Sequence, residues 1–131
     1  FGHAKIRGSA RIHGNAQIHD YAKIWYAEVY GSAVVYDNTV VFGEAKIFGL
    51  AQVCGNSEIY GDAQLSSYKD YIVFKNNWSS GRHFTYTRSN KMWKVGCFYG
   101  TGEELVKKAY KDSELSGKNY SLYVELVKNL N

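Results

Sequence analysis

The sequence predicts a mainly β fold, in which a short parallel β-solenoid over residues 1–66 precedes a small α+β domain over 67–131, a hairpin plus two helices. Three observations predict it. An aliphatic residue recurs with a period of six, at Ile6, Ile12, Ile18 and Ile24, then at Val29, Val35, Val41, Ile47, Val53, Ile59 and Leu65. A small residue leads each of these by two positions, from Ala4, Ala10 and Ala16 through Thr39 and Ser57 to Ala63, and Gly or Asp usually stands two positions earlier still. After Leu65 the period stops and ordinary globular patterns begin.

No helix or ordinary sheet has a period of six, but a parallel solenoid does when each hexad forms one short side of a triangular coil. Alternation along each short strand sends the small and the aliphatic residue inward and the residues between them outward. Gly turns the corner, and Asp20 and Asp37 stand in for it because Asp tolerates positive φ better than most residues. Eleven hexads make fewer than four coils, a stack roughly 15–20 Å tall at about 4.8 Å per strand. So short a stack needs its ends covered. The register breaks once, where Ala22 to Ala27 spans five residues instead of six. This reads as a tightened corner, or as a notch that offers Trp25 and Tyr26 to a partner.

Outward residues three hexads apart lie above one another. The positions after each aliphatic residue therefore form three ladders: Arg7, Trp25, Phe42 and Tyr60; His13, Tyr30, Phe48 and Ser66; His19, Tyr36 and Cys54. Stacked rings tie coils together, and outward apolar ladders also want a cover. Trp25, Tyr26, Tyr30, Tyr36, Phe42, Phe48 and Tyr60 are the expected interface residues, covered by the C-terminal domain, a second copy or a foreign protein.

The hexads, in which an aliphatic residue is followed four positions later by a small one (Ile6 to Ala10, Ile12 to Ala16, Val29 to Ala33), resemble the hexapeptide-repeat family. The resemblance implies a left-handed parallel β-helix, although crossover rules alone favour the right hand. It also implies homodimers or homotrimers packed on solenoid faces. Many such proteins are acyltransferases that lodge acyl-coenzyme A between solenoids and use a histidine as general base. Under that alternative His13 and His19 are the catalytic candidates. Against it, no insertion interrupts residues 4–65 to wall an acceptor pocket, and no carboxylate is evident beside either histidine. No cofactor or metal is expected.

Beyond Leu65, residues 71–74 read as a strand and 76–81 as a loop. A hairpin follows: 83–88 alternates, 89–91 turns, and 92–98 returns with Trp93, Val95 and Cys97 on one buried face. Thr101-Gly102-Glu103-Glu104 is a capping box opening a helix to about 112, with Leu105, Val106, Ala109 and Tyr110 as its stripe. A second helix is expected over about 117–130, with a stripe of Tyr120, Tyr123, Val124, Val127 and Leu130. The run from Val95 to Leu105, after Ser80-Gly81-Arg82, resembles the small domain that follows YGNA-type hexapeptide runs in short phage, prophage and gut-bacterial proteins. That resemblance implies no catalytic residue. It implies contact with host machinery, such as inhibition of a CRISPR nuclease.

Charge divides the chain. Residues 66–98 hold Lys69, Lys75, Arg82, Arg88, Lys91 and Lys94 against Asp70 alone, interleaved with Tyr68, Tyr71, Trp78, Phe84, Tyr86 and Trp93. Such a mixture suits a phosphate backbone with stacked bases or an acidic protein surface. A nucleic-acid-binding adaptor is thus a third reading. Cys54 and Cys97, without a CxxC, read as free thiols of a cytoplasmic protein. No apolar run suggests a membrane span or a secretory signal. The chain opens at Phe1 already inside the repeat, which suggests a longer or processed precursor. The expected function is a non-enzymatic binding or scaffold module acting through protein–protein contacts.

Overall fold

The structure is a computed structural model that describes residues 3–130. Its first half is built from strands of two or three residues: β1 (Lys5–Arg7), β2 (Arg11–Ile12), β3 (Gln17–Ile18), β4 (Lys23–Trp25), β5 (Glu28–Val29), β6 (Val34–Val35), β7 (Val40–Phe42), β8 (Lys46–Ile47), β9 (Gln52–Val53), β10 (Glu58–Ile59) and β11 (Gln64–Leu65). Every third strand pairs in parallel, so that β1-β4-β7-β10, β2-β5-β8-β11 and β3-β6-β9 form the three faces of a solenoid of about three turns.

The inward residues of the hexads fill the interior: Ile24, Val29, Val35, Val41, Ile47, Val53, Ile59 and Leu65 are fully buried with the alanines between them. Thr39 and Ser57 occupy two of the small-residue slots. Their hydroxyls lie 3.2 Å apart, and Ser57 Oγ donates to the Cys54 carbonyl at 2.8 Å, which leaves neither polar group unpartnered in an apolar core. Asp20 and Asp37 sit at a corner with φ 58° and 59°. Each adds a bond that Gly cannot make: Asp37 N–H donates to Asp20 Oδ2 at 3.2 Å, and Gly55 N–H donates to Asp37 Oδ2 at 3.0 Å.

The five-residue interval resolves into a corner turned by Tyr26 at φ 67°, the region glycine holds at the other corners of that column. Pairs that straddle this corner are 17 residues apart, as Lys23 with Val40, and later pairs are 18 apart, as Val40 with Glu58. The Tyr26 ring lies across Gly8, where a Cβ would come within 2.5 Å of it, and meets Phe42 edge-on at 5.8 Å. A bulky residue held at positive φ is strained. Tyr26→Gly is therefore expected to be more stable than Tyr26→Ala by about 1 kcal/mol, since both lose the ring and only Gly relieves the backbone. Urea titrations of the two variants check this, and equal midpoints would rule the strain out.

After the solenoid, a single 3-10 turn at Tyr68–Asp70 leads into an antiparallel meander of β12 (Tyr71–Lys75), β13 (His83–Thr87), β14 (Met92–Val95) and β15 (Phe98–Thr101). The helices α1 (Gly102–Asp112) and α2 (Glu114–Lys128) follow. Two expectations are corrected here. The return strand expected over 92–98 ends at Val95, because Gly96 at φ 54° and Cys97 form a two-residue turn in which Val95 pairs with Phe98. Cys97 is consequently exposed rather than buried beside Trp93. The second helix starts at Glu114, three residues before the expected position, because Ser113 serves as C-cap of α1 and N-cap of α2 with no linker between them. The Thr101 capping box with Glu104 forms as expected.

Strand alternation gives this sheet two different faces. Phe84, Tyr86 and Trp93 point toward the helices, packing with Leu105, Ala109, Tyr120, Val124 and Val127. Thr85, Thr87 and Lys94 are buried on the other face, among side chains that bond the last coil of the solenoid.

Candidate interaction surface

A solenoid ends in a rung of unpaired backbone groups, and here the C-terminal sheet satisfies them with side chains. Glu58 N–H donates to Thr85 Oγ1 at 3.0 Å and Gln64 N–H donates to Ser89 Oγ at 2.8 Å. Tyr71 OH donates to the Gln52 carbonyl at 3.1 Å while accepting from Cys54 N–H at 3.3 Å. Burial pushes the Tyr71 phenol up to about 12. Asn90 Nδ2 donates to Asp62 Oδ1 at 3.0 Å, and Asp70 Oδ2 accepts from Ser66 N–H and Ser67 N–H. The C-terminal unit is thus an end cap. It does not lie along the faces.

Along the coils the ladder rings stack on one another, and Tyr30, Tyr36, Phe42 and Phe48 are half-buried. Trp25 and Phe42 lie 5.8 Å apart and Phe42 and Tyr60 5.3 Å; His13, Tyr30 and Phe48 stack at 5.1 and 5.3 Å; His19 and Tyr36 stack at 5.4 Å. A fourth stack, His3 on Tyr21 at 4.9 Å, occupies the position after the corner, where sequence reasoning did not look. Trp25 is 38% and Tyr26 56% exposed. The C-terminal unit covers the ladders at the capped end: Lys94 Nζ sits 4.6 Å over the Tyr60 ring, Tyr99 packs beside it, burial raises the Tyr60 pKa, and Tyr71 OH meets Cys54 at the end of the third ladder.

His13 departs from expectation. Its Nε2 lies 2.7 Å from Glu28 Oε2, with Arg11 on the same carboxylate at 3.8 Å. The carboxylate comes from the strand one coil on, β5, whose Glu28 pairs with Arg11. The His13 hydrogen bond and then the nearby cations hold the Glu28 carboxyl below its usual range. His19 Nδ1 is 3.7 Å from Asp20 Oδ1. Both histidines therefore have a carboxylate neighbour, and Glu28 orients His13 by a hydrogen bond.

The six basic residues do not form one surface. Lys94 is 7% exposed, hydrogen-bonded to the Gly96 carbonyl and 4.0 Å from Glu58, so it belongs to the cap interface. The β12–β13 pairing, with Lys75 opposite His83 and Tyr71 opposite Thr87, puts Lys75 and Arg82 at one end of the strands and Lys69, Arg88 and Lys91 at the other. These five are exposed. Neither a protein-family model, nor a curated protein, nor a solved structure matches this chain.

Among the described residues no three His, Cys, Asp or Glu side chains converge to hold a metal ion, and no helix is long and apolar enough to cross a membrane. A polar cleft of about 300 Å³ opens beside α1, and on its wall Asn76 is buried with Nδ2 donating to Tyr120 OH and Oδ1 without a partner.

Proposed function

We propose that the chain is a non-enzymatic binding module: a rigid hexapeptide-type solenoid, left-handed as in the proteins its repeat resembles, that presents aromatic ladders to another protein surface, in the first instance a second copy. The single observation that carries this reading is that the cap closes the end of the coils while Trp25 and Tyr26 stay exposed. Exposed ring clusters on a rigid support bind with little loss of conformational entropy. The likeness to short phage and prophage proteins supports a host protein as a further target, blocked by occlusion and not by chemistry.

Solution mass by light scattering tests it. The native chain is expected to be a dimer or trimer, and the double variant Trp25→Ser/Tyr26→Gly a monomer. A native monomer at every concentration, with a mass the double variant leaves unchanged, would exclude self-association through this ladder. A second reading, an acyl-coenzyme A-dependent acyltransferase with His13 as general base, is favoured by the 2.7 Å Glu28 contact. Saturable acetyl-coenzyme A binding that is lost in His13→Ala would move the assignment there.

A further inference from the structure

Two clefts of about 320 and 480 Å³ lie on the C-terminal unit near the end of α2 and share Tyr86 and Val127 in their walls. The first is edged by Lys69 and Arg88, the second by Lys91 and Lys128, and among the described residues Glu103 is the one acid lining either. None of these four cations enters an ion pair among the described residues, whereas Arg11, Lys94 and Lys108 all do. Lys128 comes from α2, outside the basic stretch visible in sequence, and replaces the buried Lys94. At the mouth of the first cleft Tyr68 is 73% exposed, directly before Lys69 in the chain.

We propose that these adjacent clefts together bind single-stranded nucleic acid. A row of unneutralised cations attracts any polyanion. The exposed Tyr68 ring, which lines the same cleft as Lys69 and Arg88, selects among polyanions, because a phosphodiester chain carries planar bases beside its phosphates and a carboxylate peptide does not. Unpaired bases are needed for the ring to stack, which directs the site to single strands over duplex. The clefts lie on the cap, so occupancy leaves the solenoid ladders free.

Fluorescence anisotropy of the intact protein with a labelled single-stranded oligonucleotide, its duplex and a polyglutamate peptide tests this at several salt concentrations. The single strand is expected to bind most tightly, with a log–log salt slope of about −2 to −3 for three to four neutralised phosphates. Lys69→Glu/Arg88→Glu/Lys91→Glu should flatten that slope, and Tyr68→Ala should weaken binding about tenfold. All four positions are exposed, so circular dichroism should be unchanged. Three results would each overturn the proposal: no binding at low salt, polyglutamate or duplex binding as tightly as the single strand, or loss of binding on Lys75→Glu/Arg82→Glu or Lys5→Glu/Arg7→Glu but not on the triple variant.

Discussion

Gly31→Ala is expected to destabilise the protein by about 2–5 kcal/mol, as much as removing most of a buried side chain, although it adds one methyl group. Two terms combine. Gly31 sits at φ 67°, where a Cβ costs about 1–2 kcal/mol. That Cβ would also lie 2.9 Å from the backbone nitrogen and 3.3 Å from the carbonyl oxygen of Gly49 in the next coil. Neither atom can move without shifting a whole rung, so overpacking adds about 1–3 kcal/mol. Gly55 supplies the control, since it has φ 74° and nothing within 4 Å of its Cβ position. Gly55→Ala should cost only the conformational part, about 1–2 kcal/mol. Gly55→Asn should cost less again, because Asp20 and Asp37 hold the same corner above it. Denaturant unfolding of the three variants is the measurement. Equal losses at Gly31 and Gly55 would show that the coils do not pack backbone to backbone at their corners.

Tyr71→Phe is expected to cost about 1–3 kcal/mol, because it strips the Gln52 carbonyl and the Cys54 N–H of their partner while keeping the ring. It should also change the response to alkali. The Tyr71 phenol is raised by burial from 10.0 to about 12 in the folded protein. Between those values the unfolded chain releases the proton and the folded chain keeps it, so stability is whole below pH 10 and falls as pH rises toward 12. Burial raises Tyr60, Tyr86, Tyr99 and Tyr120 in the same direction. The Phe variant should start lower and decline less steeply, so that the two stability curves converge in alkali. Parallel curves from below pH 10 to about pH 12 would mean that Tyr71 does not latch the cap.

The solenoid was legible because its period is written in every hexad, and the ladders because their rungs follow the aliphatic residue. The His13–Glu28 contact was not, since pairing a residue with one 15 positions on requires the short corner at Tyr26 to be counted into the register. Lys94 illustrates a different limit. Alternation correctly sets it opposite Trp93, but one sequence does not say that the far face of the sheet is pressed against the last coil. The Gly96-Cys97 turn lacks the Asn-Gly or Asp-Gly signature of a tight hairpin, so the strand expected over 92–98 runs through the turn and β15 (Phe98–Thr101) is not foreseen. Lys128 joined the second cleft through tertiary packing of α2, which no local pattern encodes.

The uniform spacing of the coils has a kinetic side. Each strand of the solenoid pairs with one 17 or 18 residues away, and with none further. Loop-closure entropy depends on loop length, so every coil added to the stack closes a loop of nearly the same cost. Parallel sheets ordinarily fold slowly because their pairings are distant in the chain. The register here asks only for loop closures of nearly equal length in each of its three parallel sheets.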